Sequence, residues 1–206
     1  TIGVQNIAHT NGTVAATVDS SGNIAMASGK SFSATGHILQ TVVHQEDGMT
    51  YFTASATVGN DTLLLPANAN DSTSHLSLTI TPKSTSSKIL LTTSVFFEGS
   101  HAENHDYLWD IYRDSTKLGQ PRVGSRRGGI MVTSQGYWGS DASSTPDSVS
   151  FSYYDTPNTT SAITYAVAFN HSTANVLLYL NRTVNDSDNI AFEHGVSILI
   201  AQEIGG

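Results

Sequence analysis

The sequence predicts an all-β fold: an antiparallel β-sandwich of jelly-roll type, preceded by a short extended N-terminal stalk. Three observations carry that expectation. From Gly36 onward apolar residues alternate with polar ones in run after run, the period of a half-buried strand. The runs are separated by Gly, Pro, Asn, Asp and Ser turn signals, and helical spacing is nearly absent. Charged residues are only 13% of the 206, while Ser and Thr make up about a quarter, a hydroxyl-rich composition that suits strands.

The first element is the stalk, residues 1–36. Its residues are small, Phe32 is its sole aromatic, and it holds too little apolar volume to build a core by itself. Residues 14–18 and 23–27 read as short strands joined by the turn Asp19-Ser20-Ser21-Gly22. Their apolar side chains need a partner outside the segment, either the following domain or copies of the same segment around a symmetry axis. The head, residues 37–206, follows. Leu76, Leu78 and Ile80 share one parity until Pro82, which cannot continue a central ladder. Ile89, Leu91, Val95 and Phe97 share the next. Trp109 and Ile111 are expected in the core, within a strand from Tyr107 to Arg113, with a hairpin at Asp114-Ser115-Thr116-Lys117. Val149, Phe151 and Tyr153 alternate with serines up to the turn Asp155-Thr156-Pro157-Asn158. Ile163, Tyr165, Val167 and Phe169 continue the pattern, then residues 176–180, and Val196, Ile198 and Ile200 form the last apolar row. Sheets with one solvated face alternate in this way.

Charge narrows the function classes. Nine basic against 17 acidic residues leave a net charge of −8, so the chain repels phosphate backbones and no nucleic-acid partner is expected. Cys is absent, which removes disulfides and thiol chemistry. No apolar run approaches the ~18 residues of a membrane helix, so no membrane insertion is expected. Glu98, Glu103, Asp106 and Asp110 crowd together, and a carboxylate pair is what glycoside hydrolysis needs. The chain nevertheless lacks the repeats of a β-helix, a nucleophile elbow, a phosphate-cradling loop and a metalloprotease helix motif. An enzyme is therefore not expected, and a polysaccharide-degrading activity is the least favoured alternative.

Several segments carry a resemblance. Residues 38–42, Ile-Leu-Gln-Thr-Val, and 78–90, Leu-Thr-Ile-Thr-Pro-Lys-Ser-Thr-Ser-Ser-Lys-Ile-Leu, resemble the opening of a β-rich domain of bacteriophage fibre proteins, especially those of marine phages. Residues 151–160, Tyr165, Asn181-Arg182 and the closing 200–204, Ile-Ala-Gln-Glu-Ile, resemble its later landmarks, over residues 37–204 in all. The resemblance implies a homotrimeric structural protein of the virion surface, assembled in the bacterial host cytoplasm, with a slender N-terminal segment ahead of the head. Residues 1–36 would contact other virion proteins and the head the host cell surface. The alternative is a purely structural head fibre, capsid decoration or adaptor. The resemblance brings no fixed catalytic or binding motif, and no cofactor is expected.

Two surface constellations are candidate ligand sites. Arg113, Lys117, Arg122, Arg126 and Arg127 are five of the nine basic residues. Arg122, Arg126 and Arg127 suit the anionic groups of a host surface polysaccharide, through bidentate contacts. The favoured bland reading pairs this cluster with acids of a neighbouring subunit. Tyr137 and Trp138, bracketed by Gly136 and Gly139, offer aromatic faces to sugar rings, although an interface or core anchor is the commoner use of such a Trp. His101, Glu103, His105 and Asp106 include metal-ligand types, but they lie between strands and read as a solvated loop, so no metal is expected.

Overall fold

Alternating residues become strands wherever two such runs can share a ladder, and the computed structural model, which describes residues 5–28, 30, 35–70, 75–100, 106–134 and 144–206, is built almost wholly from them. The N-terminal part is a meander of β1 (Asn6–Ala8), β2 (Val14–Val18) and β3 (Ile24–Met26). Its second turn forms as the sequence predicts. Asp19 Oδ1 accepts the backbone N–H of Ser21 and Asn23, both at 2.9 Å, and Gly22 takes the positive φ of 84° that the turn requires.

The head begins with β4 (Ile38–Glu46), β5 (Thr50–Thr53) and β6 (Thr62–Leu63), followed by a single 3-10 turn at Pro66–Asn68. The remaining strands are β7 (Ser77–Ile80), β8 (Lys88–Gly99), β9 (Asp106–Arg113), β10 (Thr116–Lys117), β11 (Met131–Ser134), β12 (Asp147–Asp155), β13 (Ile163–Asn170), β14 (Leu177–Leu180) and β15 (Ser197–Ile204). All pairings are antiparallel. One sheet runs β4-β15-β8-β12 and the other β7-β13-β9-β11, with β5, β14, β6 and β10 extending them. Numbered along the chain, these eight principal strands interleave as first-eighth-third-sixth and second-seventh-fourth-fifth. That is the connectivity of a jelly roll, two Greek keys folded into one sandwich.

The inner faces interdigitate as expected for most strands. Leu76, Leu78, Ile80, Ile89, Leu91, Val95, Phe97, Trp109, Ile111, Val149, Phe151, Ile163, Tyr165, Val167 and Phe169 are all buried in one cluster. Phe97 of one sheet meets Trp109 and Tyr107 of the other edge to face, with centroids 4.8 and 5.3 Å apart. Trp109 is fully buried, and its indole N–H donates to Thr133 Oγ1 at 2.8 Å. The hairpin after β9 forms at Asp114 and Ser115, with Thr116 and Lys117 already the returning strand.

β15 corrects the expected parity. Ser197, Leu199, Ala201 and Glu203 point inward, while Ile198 and Ile200 are half-buried on the outer face and Val196 is exposed. The inward polar residues are hydrogen-bonded rather than misplaced. Ser197 Oγ donates to Asn181 Oδ1 at 2.6 Å and accepts from Phe96 N, and Glu203 accepts from Lys83 N and Gln40 Nε2. Polarity thus fails to mark the core face of this strand.

Candidate functional site

Lys117 sits on the outer face of the β7-β13-β9-β11 sheet, Arg122, Arg126 and Arg127 on the loop that crosses it, residues 118–130, and Arg113 at the end of the inner row of β9, where it reaches Asp155 of the other sheet. Small residues let the loop lie close: a Cβ on Gly119 would come within 2.7 Å of the Asp110 carboxylate, and one on Gly128 within 2.3 Å of two backbone oxygens. Beneath the loop, Asp61 Oδ2 accepts from Tyr112 Oη at 2.6 Å and Lys117 Nζ at 2.7 Å, and its Oδ1 accepts from Asn170 Nδ2. Lys117 also reaches Asp110 Oδ2 at 3.1 Å and donates to the Gly128 carbonyl at 2.7 Å. Asp110, fully buried, turns Oδ1 to the N–H groups of Ile111 and Gly119.

This electrostatics follows from burial. Desolvation pushes the Asp110 carboxyl above its ordinary value, against the pull of Lys117 and the two backbone donors. Burial presses the Lys117 ammonium down, but its bonds to Asp61 and Asp110 prevail and hold it above its ordinary value. The Tyr112 hydroxyl is pushed up by burial and by its bond to Asp61.

Three members of the cluster, Arg113, Lys117 and Arg127, are bonded to acids of their own chain. Arg113 Nη1 bonds both oxygens of Asp155 at 3.0 Å, and Lys117 is held as described. Arg127 donates to the Asp106 carboxylate and carbonyl and to Asn170 Oδ1, which anchors the loop. Arg122 and Arg126 remain exposed at the loop's tip, where Val123 and Arg126 bond each other's backbone and Val123 is itself exposed. Arg126, Val123 and Arg127, with Gln120, Pro121 and Gly128, border an open depression of about 320 Å³, and Arg122 lies outside its lining. Two cations beside an apolar side chain suit a carboxylated or phosphorylated sugar.

Tyr137 and Trp138, and His101, Glu103 and His105, lie outside the described residues. Glu98 is buried, and its oxygens accept from Thr145 N at 2.9 Å and Val184 N at 2.7 Å, while Asp110 is held as above.

One set of residues was missed in the sequence. His44 and Glu46 of β4 meet His75 at the edge of the sandwich, with ligand-type atoms within 4.8 Å of one another. A signal existed in the i, i+2 spacing of His44 and Glu46, which puts both on one strand face, but the sequence gives no hint that His75 lies opposite. Neither a family model nor a curated protein sequence matches the chain.

Proposed function

We propose that this chain is a self-assembling structural protein of a bacteriophage virion, a homotrimeric fibre whose jelly-roll head contacts the host cell surface. The observation that carries this reading is the meander of β1, β2 and β3. Among its described residues only Ala16 is a buried apolar side chain, and Ile7, Ile24 and Met26 stand exposed at 48%, 66% and 39%. Three strands this short need an apolar face covered to persist in water, and further copies of the same segment are the simplest cover. The resemblance of residues 37–204 to fibre head domains points the same way, and it supplies the virion as the setting. A second support is the outer face of β15, where the half-buried Ile200 lies opposite the exposed Val43.

Light scattering on the full chain tests the assembly. A mass near three times the 21.8 kDa chain is expected, and a monomer at micromolar concentration overturns the reading. The Arg122→Ala, Arg126→Ala double variant tests the contact with the host. It is expected to keep the parent's mass and melting temperature while losing adsorption to the host surface. Unchanged adsorption moves the contact elsewhere and favours the purely structural virion role.

A further inference from the structure

His44 and Glu46 project from the same side of β4, the edge strand of its sheet, toward the segment that leads into β7, the edge strand of the other. His75 opens that segment, and its ring stacks on His44 with centroids 4.7 Å apart and planes 25° apart. Glu46 is only 6% exposed, and its Oε1 accepts from Gly48 N at 2.7 Å and its Oε2 from His75 N at 2.9 Å. Among the described residues no lysine or arginine pairs with it, and the imidazole beside it is that of His44. His44 Nε2 lies 3.3 Å from Glu46 Oε2 and 3.0 Å from the His75 carbonyl oxygen. One ring nitrogen thus aims between two oxygens, beside a buried carboxylate that has little other positive charge near it.

Ligands about 2.0–2.2 Å from a first-row dication sit roughly 2.8–3.1 Å from one another at octahedral edges and roughly 3.3–3.6 Å at tetrahedral ones. The separations around His44 Nε2 match those edges. We propose that His44, Glu46 and His75 form a binding site for a divalent transition metal of the zinc class. The cation takes the place of the hydrogen on His44 Nε2 and is held by that nitrogen, by Glu46 Oε2 and by the His75 carbonyl. A ring nitrogen of His75 completes the set after a small turn of the ring. The His44 imidazole stays neutral by carrying its hydrogen on Nδ1 instead. Imidazole and carboxylate are the donor types such an ion prefers in a chain without thiolates. The bound ion would clamp the two edge strands together, and because only the folded chain brings the three residues together, binding stabilises the fold by mass action.

The inference stands apart from the fibre reading. Its test is equilibrium dialysis of the full chain against zinc, with thermal melts in parallel. One zinc per chain and a raised melting temperature are expected. His44→Gln keeps a donor toward the His75 carbonyl, so the fold persists while the nitrogen ligand is lost. It and His75→Ala are expected to weaken zinc binding by at least about 100-fold, beyond the effect of an outer-shell partner. A variant with both His101 and His105 changed, the sequence's other closely spaced pair, is expected to bind as the parent does. No binding by the folded parent overturns the proposal. So does binding that the His44 and His75 variants leave unchanged.

Discussion

The two sheets present opposite outer faces. On the β7-β13-β9-β11 sheet, Ala166, Ala168, Leu108 and Asp110 are buried, because the chain lays its own loop, residues 118–130, across them. That loop is bolted down by Asp61, Lys117, Asp110, Arg127 and Asp106. On the β4-β15-β8-β12 sheet Gly195 packs against the ring of Phe96 at one end of the outer row, and the rest of that row is more open. Leu90, Ile198 and Ile200 stay half-buried there, and Val43 and Tyr154 are 54% and 55% exposed. The contrast teaches where each kind of interaction is used. An ionic network closes one face from within the chain, whereas the other face keeps apolar side chains partly in contact with solvent.

The covered face should break most severely. Asp61→Ala removes the acceptor shared by Tyr112, Lys117 and Asn170, and leaves a part-buried ammonium with one fewer partner. We expect a loss of about 3 kcal/mol in urea unfolding, the low end for a broken buried pair because Lys117 keeps some contact with water. Next in size is Tyr165→Phe, which deletes the 2.6 Å bond from the Tyr165 hydroxyl to Asp155 and should cost about 2 kcal/mol in the same assay.

Alkaline pH sharpens the comparison without mutation. Burial first, and nearby carboxylates second, push the Tyr107, Tyr112 and Tyr165 hydroxyls above the ordinary phenol value, and Lys117 is also held above its own. Unfolded, these groups release protons from about pH 10. The folded state keeps them longer and so binds more protons, which makes stability fall as pH rises past about 10. Thermal melts across that window should show the fall, with a shallower slope in Tyr165→Phe. A flat profile would mean that these groups are solvated in the folded state.

The more open face should respond least in stability. Ile200→Asp is expected to cost about 1 kcal/mol or less in urea unfolding, since its side chain faces outward. Its effect belongs to assembly instead: sedimentation should show the mass falling toward a single chain. A variant that keeps the parent's mass would show that the meander alone holds the copies together.

How much was legible follows from the same contrast. Strands whose inner residues are apolar, such as Leu78 and Ile80 in β7 or Val167 and Phe169 in β13, announced their core face. β15 did not, because Ser197 and Glu203 point inward to bond Asn181, Phe96, Lys83 and Gln40, while isoleucines fill the outer row. The arginine cluster was legible as a concentration of charge, but not as an internal brace. Its partners Asp155, Asp61 and Asp106 lie 42, 56 and 21 positions away from Arg113, Lys117 and Arg127, at distances along the chain that follow no local period.

By itself the sequence determined that this protein is all-β, where many of its strands run, and that Phe97, Trp109, Phe151, Tyr165 and Phe169 belong to inward rows, although not that Phe52 and Tyr107 join them. Those properties are local, set by period-two alternation and by turn residues acting within a few positions of themselves. Only the tertiary structure decided the jelly-roll order of the strands, the outward isoleucines of β15, the bracing of the 118–130 loop and the meeting of His44, Glu46 and His75. Each of these depends on which distant strand lies opposite, and that choice is made by packing the two sheets together with every buried polar group given a partner.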